Sequence, residues 1–190
     1  MKSSILAAAV TLAATGALAA PEKYVLDPSH SQVIFSYTHL GFSTTWGMFS
    51  GFEGEIMFDQ DAPADSSVTV SIPTMSMYTG WEKRFDHFMS DDFFGASEDD
   101  MVTFNSTGIE VTGDTTANIT GDLTVNGVTK SVVLDAELNK TGTHPMANKE
   151  WAGFSATTML KRSDFDLDKF APAVSDEVEV TLSIEAQKAE

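Results

Sequence analysis

The side chains able to carry out acid–base or metal chemistry are scattered along this sequence. No two of the four histidines, His30, His39, His87 and His144, stand at metal-ligand spacing within one element. Each is therefore more typical of a structural or surface histidine than of a zinc ligand. The chain has no cysteine, which excludes thiolate catalysis, disulfides and cysteine-ligated metals. The sequence predicts no metal site and no cofactor.

Two short motifs imitate functional sites and then depart from them. The acidic run 164–168 resembles the start of a calcium loop, but Lys169 replaces the sixth-position glycine and Ser175 replaces the glutamate at the end. In Ser29-His30-Ser31, neighbouring side chains on a strand point to opposite faces, so they do not form a nucleophile–base pair. We interpret the first motif as an acidic turn. The chain is predicted not to be an enzyme, with a small hydrolase or isomerase using a His–Asp pair as the alternative.

Composition restricts the partners and predicts a folded domain. The chain has 190 residues, with 28 acidic against 11 basic side chains and a net charge of −17. So few cations cannot form the basic face that nucleic acids require, which excludes that class of partner. Hydrophobic residues make up 42% of the chain and include 13 phenylalanines, enough for a sizeable core.

The first nineteen residues have the form of a secretory signal peptide. Met1-Lys2 precedes an apolar, alanine-rich run that ends in Ala17-Leu18-Ala19. This order matches a charged start, an apolar stretch and a small-residue cleavage site. A membrane anchor would need about 20 strongly apolar residues. We predict cleavage of 1–19, a mature domain at 20–190 with no stable membrane anchoring, and a periplasmic or secreted location.

Strand-like alternation recurs along the mature chain. Apolar and polar side chains alternate from Glu177 to Ala186, a period of two that directs one set inward. Asn126-Gly127 separates two further alternating runs and suits a type I′ hairpin turn. The strand-like runs are 33–38, 51–59, 68–72, 101–106, 117–125, 132–138, 151–162 and 177–186. About eight such strands predict an all-β antiparallel barrel or sandwich, and closure is favoured because it removes exposed sheet edges.

Glycines and flexible apolar side chains favour a barrel with a ligand-sized interior. Gly47, Gly51 and Gly54 would permit the sharp coiling that closure requires. Methionines and phenylalanines on the apolar face would line a cavity, or would simply fill an ordinary core. The exception to β structure is 81–89, where Trp81, Phe85, Phe88 and Met89 share one helical face. This segment would either cap one barrel end or pack outside it.

Six motifs in order resemble the YceI-like family of periplasmic lipid- or polyisoprenoid-binding proteins. These are 24–35 (YVLDPSHSQVIF), 39–41 (HLG), 47–54 (GMFSGFEG), 90–94 (SDDFF), 121–130 (GDLTVNGVTK) and 162–165 (RSDF). The resemblance implies an eight-stranded antiparallel, lipocalin-like barrel with a short helical crossover around residues 81–94. It also implies that the apolar interior holds a long prenyl or acyl chain.

The predicted ligand is a polyisoprenoid, such as a prenyl quinone or prenyl alcohol, with fatty acids or fatty amides as the alternative. Arg162 shares the phase of the inward-facing side chains of its strand, or else pairs with Asp164 or Asp166 at the rim. The oligomeric state stays open, and a homodimer is one outcome. The predicted lining residues are Phe35, Phe52, Ile119, Leu123, Leu134, Phe154, Leu160, Val180 and Leu182, and the predicted mouth residues are His30, His39, Arg162 and Asp164.

Overall fold

The computed structural model describes residues 20–190, so the predicted signal peptide lies outside the described residues. No helix in this part of the chain is long and apolar enough to cross a bilayer. The elements are β1 (Glu22–Leu26), β2 (Gln32–His39), β3 (Ser43–Phe49), β4 (Glu53–Phe58), β5 (Ser67–Pro73), α1 (Glu82–Met89), β6 (Met101–Val111), β7 (Thr116–Val125), β8 (Val128–Thr143), β9 (Glu150–Lys161) and β10 (Glu177–Lys188).

The ten strand segments form one closed antiparallel sheet. Eight of them follow one another in the order β1-β4-β5-β6-β7-β8-β9-β10, and β10 also pairs with β1, which closes the ring. The β2–β3 hairpin pairs with β10 through β2. β1 and β2 follow each other along β10, with Ala186 opposite Leu26 and Val180 opposite Phe35. β3 pairs with β2, and β4 pairs with β1. Therefore β1 and β2 together act as one interrupted strand, and β3 and β4 together act as another. The predicted eight-stranded antiparallel barrel is confirmed.

Local sequence explains the turns and interruptions. Asn126 and Gly127 have φ values of 52° and 73°, as the predicted type I′ turn requires. The sequence pattern does not predict β3, because its inward positions include Ser43, Thr45 and Gly47 and so show no apolar alternation. Gly47 is required for packing, since a Cβ there would lie 2.1 Å from the Phe35 ring.

The packed core occupies one side of the barrel. Its members are Tyr24, Leu26, Phe52, Ile56, Phe58, Ile72, Ala152 and Ala186, contributed by β1, β4, β5, β9, β10 and the β3–β4 connection. The Phe58 ring meets Tyr24 edge-on at 5.9 Å and Phe154 at 5.5 Å between centroids. Several of these side chains also face the interior, so the core is a wall of the barrel rather than its filling.

The helix lies across one end of the barrel. α1 connects β5 to β6 at the end that also carries the β2–β3 hairpin, the β7–β8 turn and the segment 162–176. We call this the helix end; the opposite end carries the β6–β7 and β8–β9 connections. The Phe88 ring lies 6.2 Å from Tyr37 and 5.4 Å from Phe93, and Phe93 lies 6.1 Å from Phe170. Of the two positions left open by the sequence, the segment caps the barrel.

Candidate functional site

The interior of the barrel is a cavity of about 1150 Å³. Its middle is lined by apolar side chains from opposite sides of the ring, including Val33, Val70, Ile119, Leu134 and Leu182. The volume exceeds the usual range for a small-molecule pocket, roughly 300–1000 Å³. The apolar inner face therefore encloses space instead of filling an ordinary core.

Most of the predicted site residues line this cavity. The strand alternation places them there, because positions two apart along a strand share a face. On β9, for example, Phe154, Ala156 and Leu160 face inward while Thr157 is exposed. The predicted residues on the wall are Phe35, His39, Phe52, Ile119, Leu123, Leu134, Phe154, Leu160, Arg162, Val180 and Leu182.

His30 and Asp164 lie elsewhere, which corrects their predicted position at the mouth. His30 stands in the β1–β2 interruption on the outside of the barrel. Asp164 belongs to a 3-10 turn that follows β9, and it is exposed. The inward phase of β9 reaches Arg162, and the 3-10 turn that begins there takes Asp164 out of that phase. His39 and Asp164 consequently do not form the His–Asp pair of the enzyme alternative.

The DPSHS motif stabilises the interruption between β1 and β2. His30 Nδ1 lies 2.6 Å from Asp27 Oδ2, and Asp27 Oδ1 accepts hydrogen bonds from the backbone N–H and hydroxyl of Ser29. Glu185 of β10 lies beside this pair, where its carboxylate accepts a hydrogen bond from Trp151 Nε1. The hydrogen bond that His30 donates to Asp27 raises the pKa of His30 above its usual 6.5. Burial raises the pKa of Asp27, but hydrogen bonds from His30 and Ser29 outweigh burial and lower it.

We expect Asp27→Asn to lower the pKa of His30 toward its ordinary value of 6.5. The charged imidazole then loses the carboxylate that favours it. Because the folded-state pKa is raised, this contribution to stability is present below pH 6.5 and is lost as the pH rises through the folded-state pKa. NMR titration of the His30 ring measures the shift, and Glu185→Gln is the control with a smaller effect. Equal shifts in both variants would contradict the assignment.

The guanidinium of Arg162 hydrogen-bonds to backbone carbonyls of the segment 167–175 at the helix end. Its Nε donates to Ser175 O at 2.9 Å and one terminal nitrogen donates to Val174 O at 2.9 Å. The other terminal nitrogen donates to Leu167 O and, at 3.1 Å, to Lys169 O. Of the two arrangements left open by the sequence, Arg162 lines the cavity, and its donors bind backbone carbonyls instead of Asp164 or Asp166. Burial lowers the pKa of Arg162, as expected for a guanidinium enclosed by these carbonyls.

Basic side chains of α1 line the helix end of the cavity, and the sequence analysis did not predict them. Lys83, Arg84 and His87 all line the cavity. His87 follows Lys83 by four residues and Arg84 by three, so it shares a helical face with each of them, a signal hidden by the aromatic stripe. Arg84 donates to Thr79 O at 2.8 Å and lies 6.0 Å from the centre of the Trp81 ring. Of the predicted aromatic stripe, Trp81 and Phe88 line the cavity, whereas Phe85 and Met89 do not.

The two ends of the cavity differ in charge. Its four Lys and Arg side chains lie at the helix end, and its two acidic side chains, Asp114 and Glu137, lie at the opposite end. At the helix end, His87 Nε2 lies 3.3 Å from Asp92 Oδ2, and Lys169 contacts the other oxygen of that carboxylate. The hydrogen bonds from Lys169 and His87 lower the pKa of Asp92. The cavity thus has an apolar middle, a cationic mouth and an acidic far end.

Comparison with known proteins agrees with this architecture. A model of the YceI-like domain matches residues 24–186. The chain belongs to the YceI-like family. A UPF0312 protein of Ectopseudomonas mendocina is 40% identical over 187 residues, which cover 97% of each chain.

Solved structures share the YceI-like barrel. Burkholderia cenocepacia BcnA superposes with a TM-score of 0.76 at 25% identity, covering 84% of this chain and 98% of that one. A second structure is described as a polyisoprenoid binding domain from Saccharophagus degradans implicated in plant cell wall breakdown. It superposes with a TM-score of 0.66 at 15% identity, covering 87% of this chain and 98% of the other, a likeness of fold alone.

Proposed function

We propose that this protein is an exported carrier that sequesters a long polyisoprenoid, such as a prenyl quinone or prenyl alcohol, inside its barrel. The observation that carries the proposal is the cavity of about 1150 Å³, apolar along its middle and polar at its ends. Membership of the YceI-like family supports a binding role. The polyisoprenoid binding described for the Saccharophagus degradans domain, which has the same fold, supports the class of ligand.

Burial of the tail supplies the affinity. Each CH₂ group removed from water contributes about 0.8 kcal/mol, so about ten buried carbons give roughly 8 kcal/mol before ordering costs. This is the scale of micromolar binding, and a longer prenyl chain has more carbons to bury. Because the middle of the wall is apolar, this packing is non-directional and tolerates differences in chain length.

In this proposal, the polar head group of the lipid lies at the helix end of the cavity. Lys83, Arg84 and His87 line the mouth there and can meet a quinone oxygen or a phosphate. Asp114 and Glu137 at the opposite end would repel a phosphate and offer no hydrogen-bond donor to a quinone oxygen. A polyisoprenoid therefore enters tail-first in our proposal, with its polar end held beside α1.

A fatty acid is the second candidate ligand, favoured by the same cationic mouth. A carboxylate accepts hydrogen bonds from Lys83 and Arg84 as readily as a phosphate does. The acyl tail fits the same apolar wall. This alternative keeps the fold and the carrier role and changes only the cargo.

Catalysis is not part of the proposal. His39 lines the cavity but Asp164 does not, so these two do not form the His–Asp pair of the enzyme alternative, and the guanidinium of Arg162 is bonded to backbone carbonyls. We further propose that residues 1–19 direct export to the periplasm and are cleaved after Ala19. The charged start, the apolar run and the small residues before the cleavage point support this step.

Native mass spectrometry of the mature protein, purified gently from the exported fraction, tests the proposal. We expect a discrete added mass that solvent extraction identifies as a prenyl lipid. A fatty acyl mass would support the second candidate. An unliganded mass together with no uptake from a mixture of prenyl lipids would reject the carrier function.

A further inference from the structure

Exposed aromatic side chains surround the helix end of the cavity. All the exposed aromatic residues among 20–190 lie in this half of the barrel, whereas the other exposed large apolar residues are aliphatic and dispersed. Phe42 at the tip of the β2–β3 hairpin is 91% exposed. We call these aromatic residues, together with the exposed Leu40 of the same hairpin, the aromatic rim: Leu40, Phe42, Trp46, Tyr78, Trp81 and Phe170.

Backbone contacts join the segments that carry the aromatic rim. The N–H of Leu40 donates to Ala173 O at 2.9 Å, which joins the hairpin to the segment that carries Phe170. Tyr78 exchanges backbone hydrogen bonds with Met48 of β3 at 2.7 and 2.9 Å. Phe170 lies 6.1 Å from His87 of α1. These contacts hold the three connections that carry the rim against one another.

The hairpin tip holds Phe42 away from the barrel. Leu40 and Gly41 both have positive φ, 53° and 74°. The N–H of Phe42 closes the turn by donating to His39 O at 3.0 Å. A Cβ built on Gly41 would meet no atom within 4 Å, so the tip stands in open space. The side chain is presented to the surroundings by a hydrogen-bonded turn.

The aromatic rim continues into the cavity. Leu40, Trp81 and Phe170 are exposed to solvent and also belong to the cavity wall. Lys83 and Arg84 lie at the same mouth, next to Trp81. Trp and Tyr rings with neighbouring Lys and Arg are typical of surfaces that sit at a membrane–water interface.

We propose that the aromatic rim docks the helix end onto the surface of a lipid bilayer, so that the cargo passes between bilayer and cavity without crossing water. The inference rests on the proposed carrier function. It identifies the bilayer as occupant because the rim is continuous with an apolar cavity, and a lipid is the molecule that would move between them. Insertion of Phe42 and its neighbours supplies the attraction.

The net charge determines how docking depends on lipid composition. With 28 acidic and 11 basic side chains, the protein is repelled by anionic bilayers. Salt screens this repulsion, so binding to anionic vesicles rises with ionic strength. A polybasic membrane anchor would show the opposite dependence.

Flotation of the mature protein with phosphatidylcholine vesicles tests the proposal, with Phe42→Ser as the variant. The matched control is Met146→Ser, because Met146 is 90% exposed but lies at the opposite end of the barrel. We expect Phe42→Ser to weaken vesicle binding about tenfold and the control to leave it unchanged. Near-UV circular dichroism verifies that both variants fold. Binding of farnesol in solution, measured separately, should be the same in both because neither residue lines the cavity.

The possible outcomes separate docking from carriage. Normal farnesol binding without vesicle binding would overturn docking and leave the carrier function standing. Binding of neither farnesol nor any lipid from a prenyl mixture would reject the function itself. Equal vesicle binding by both variants would overturn the role of the rim. A dimer that Phe42→Ser dissociates would assign the rim to a second copy of the chain. Binding that needs anionic lipid and is lost in salt would overturn the apolar mechanism.

Discussion

Replacing Ala156 with tryptophan is expected to abolish binding of a prenyl chain while the barrel still folds. Ala156 lies on the inward face of β9, where it pairs with Ala136 on one side and Leu182 on the other. An indole at this position projects into the middle of the cavity. Displacing one isoprene unit, roughly five carbons, removes about 4 kcal/mol of burial, on the order of a thousandfold in affinity.

Thr157→Trp is the matched control for this variant. Thr157 is the next residue of β9, is exposed and points outward, so the same new side chain remains outside the barrel. Titration with a fluorescent prenyl probe measures both affinities, and thermal unfolding verifies folding. Full affinity in the Ala156→Trp variant would mean that the ligand does not occupy the barrel interior.

Gly54→Ala is expected to destabilise the barrel by about 3 kcal/mol. Gly54 has a φ of 147°, a conformation that residues with a side chain rarely adopt. A Cβ there would lie 2.1 Å from Thr69 O and 3.0 Å from Val70 Cα. These are backbone atoms of the neighbouring strand β5, so relief requires the two strands to separate.

Gly108→Ala is the control, because a Cβ at Gly108 meets no atom within 4 Å and its φ lies outside the positive range. Urea denaturation should show an unchanged midpoint for Gly108→Ala and a lower midpoint for Gly54→Ala. If the two midpoints fall equally, the close approach of β4 and β5 does not determine the requirement for glycine.

The fold was predictable because several strands alternate regularly between apolar and polar side chains. β10 alternates from Glu177 onward, and Asn126-Gly127 specifies a turn with two positive φ values. β1 and β3 escaped because they are short or have small and polar inward positions, so the barrel context determines them more than their own pattern. The family resemblance supplied the eight-stranded, lipocalin-like architecture that joins the remaining strands.

The cavity and its mouth were less accessible to sequence reasoning. Apolar side chains that line a cavity and those that fill a core have the same composition, and only the barrel radius distinguishes them. Asp164 was placed at the mouth because it belongs to the motif at 162–165, but it lies exposed in the 3-10 turn after β9. Lys83 and Arg84 were missed because their position depends on how the crossover lies on the barrel, which is a tertiary property.

The seam between β1 and β10 determines when the cavity comes into existence. Tyr24 pairs with Lys188, so the ring closes through residues near opposite ends of the described chain. Pairing at such sequence separation comes late, since the loop-closure entropy must be offset by the strands already assembled. Until β10 pairs with β1, the sheet is an open trough with unpaired edges. A chain truncated before Glu177 would lack β10, so its sheet would not close and would have no interior. Its unpaired edges would be open to association with other chains.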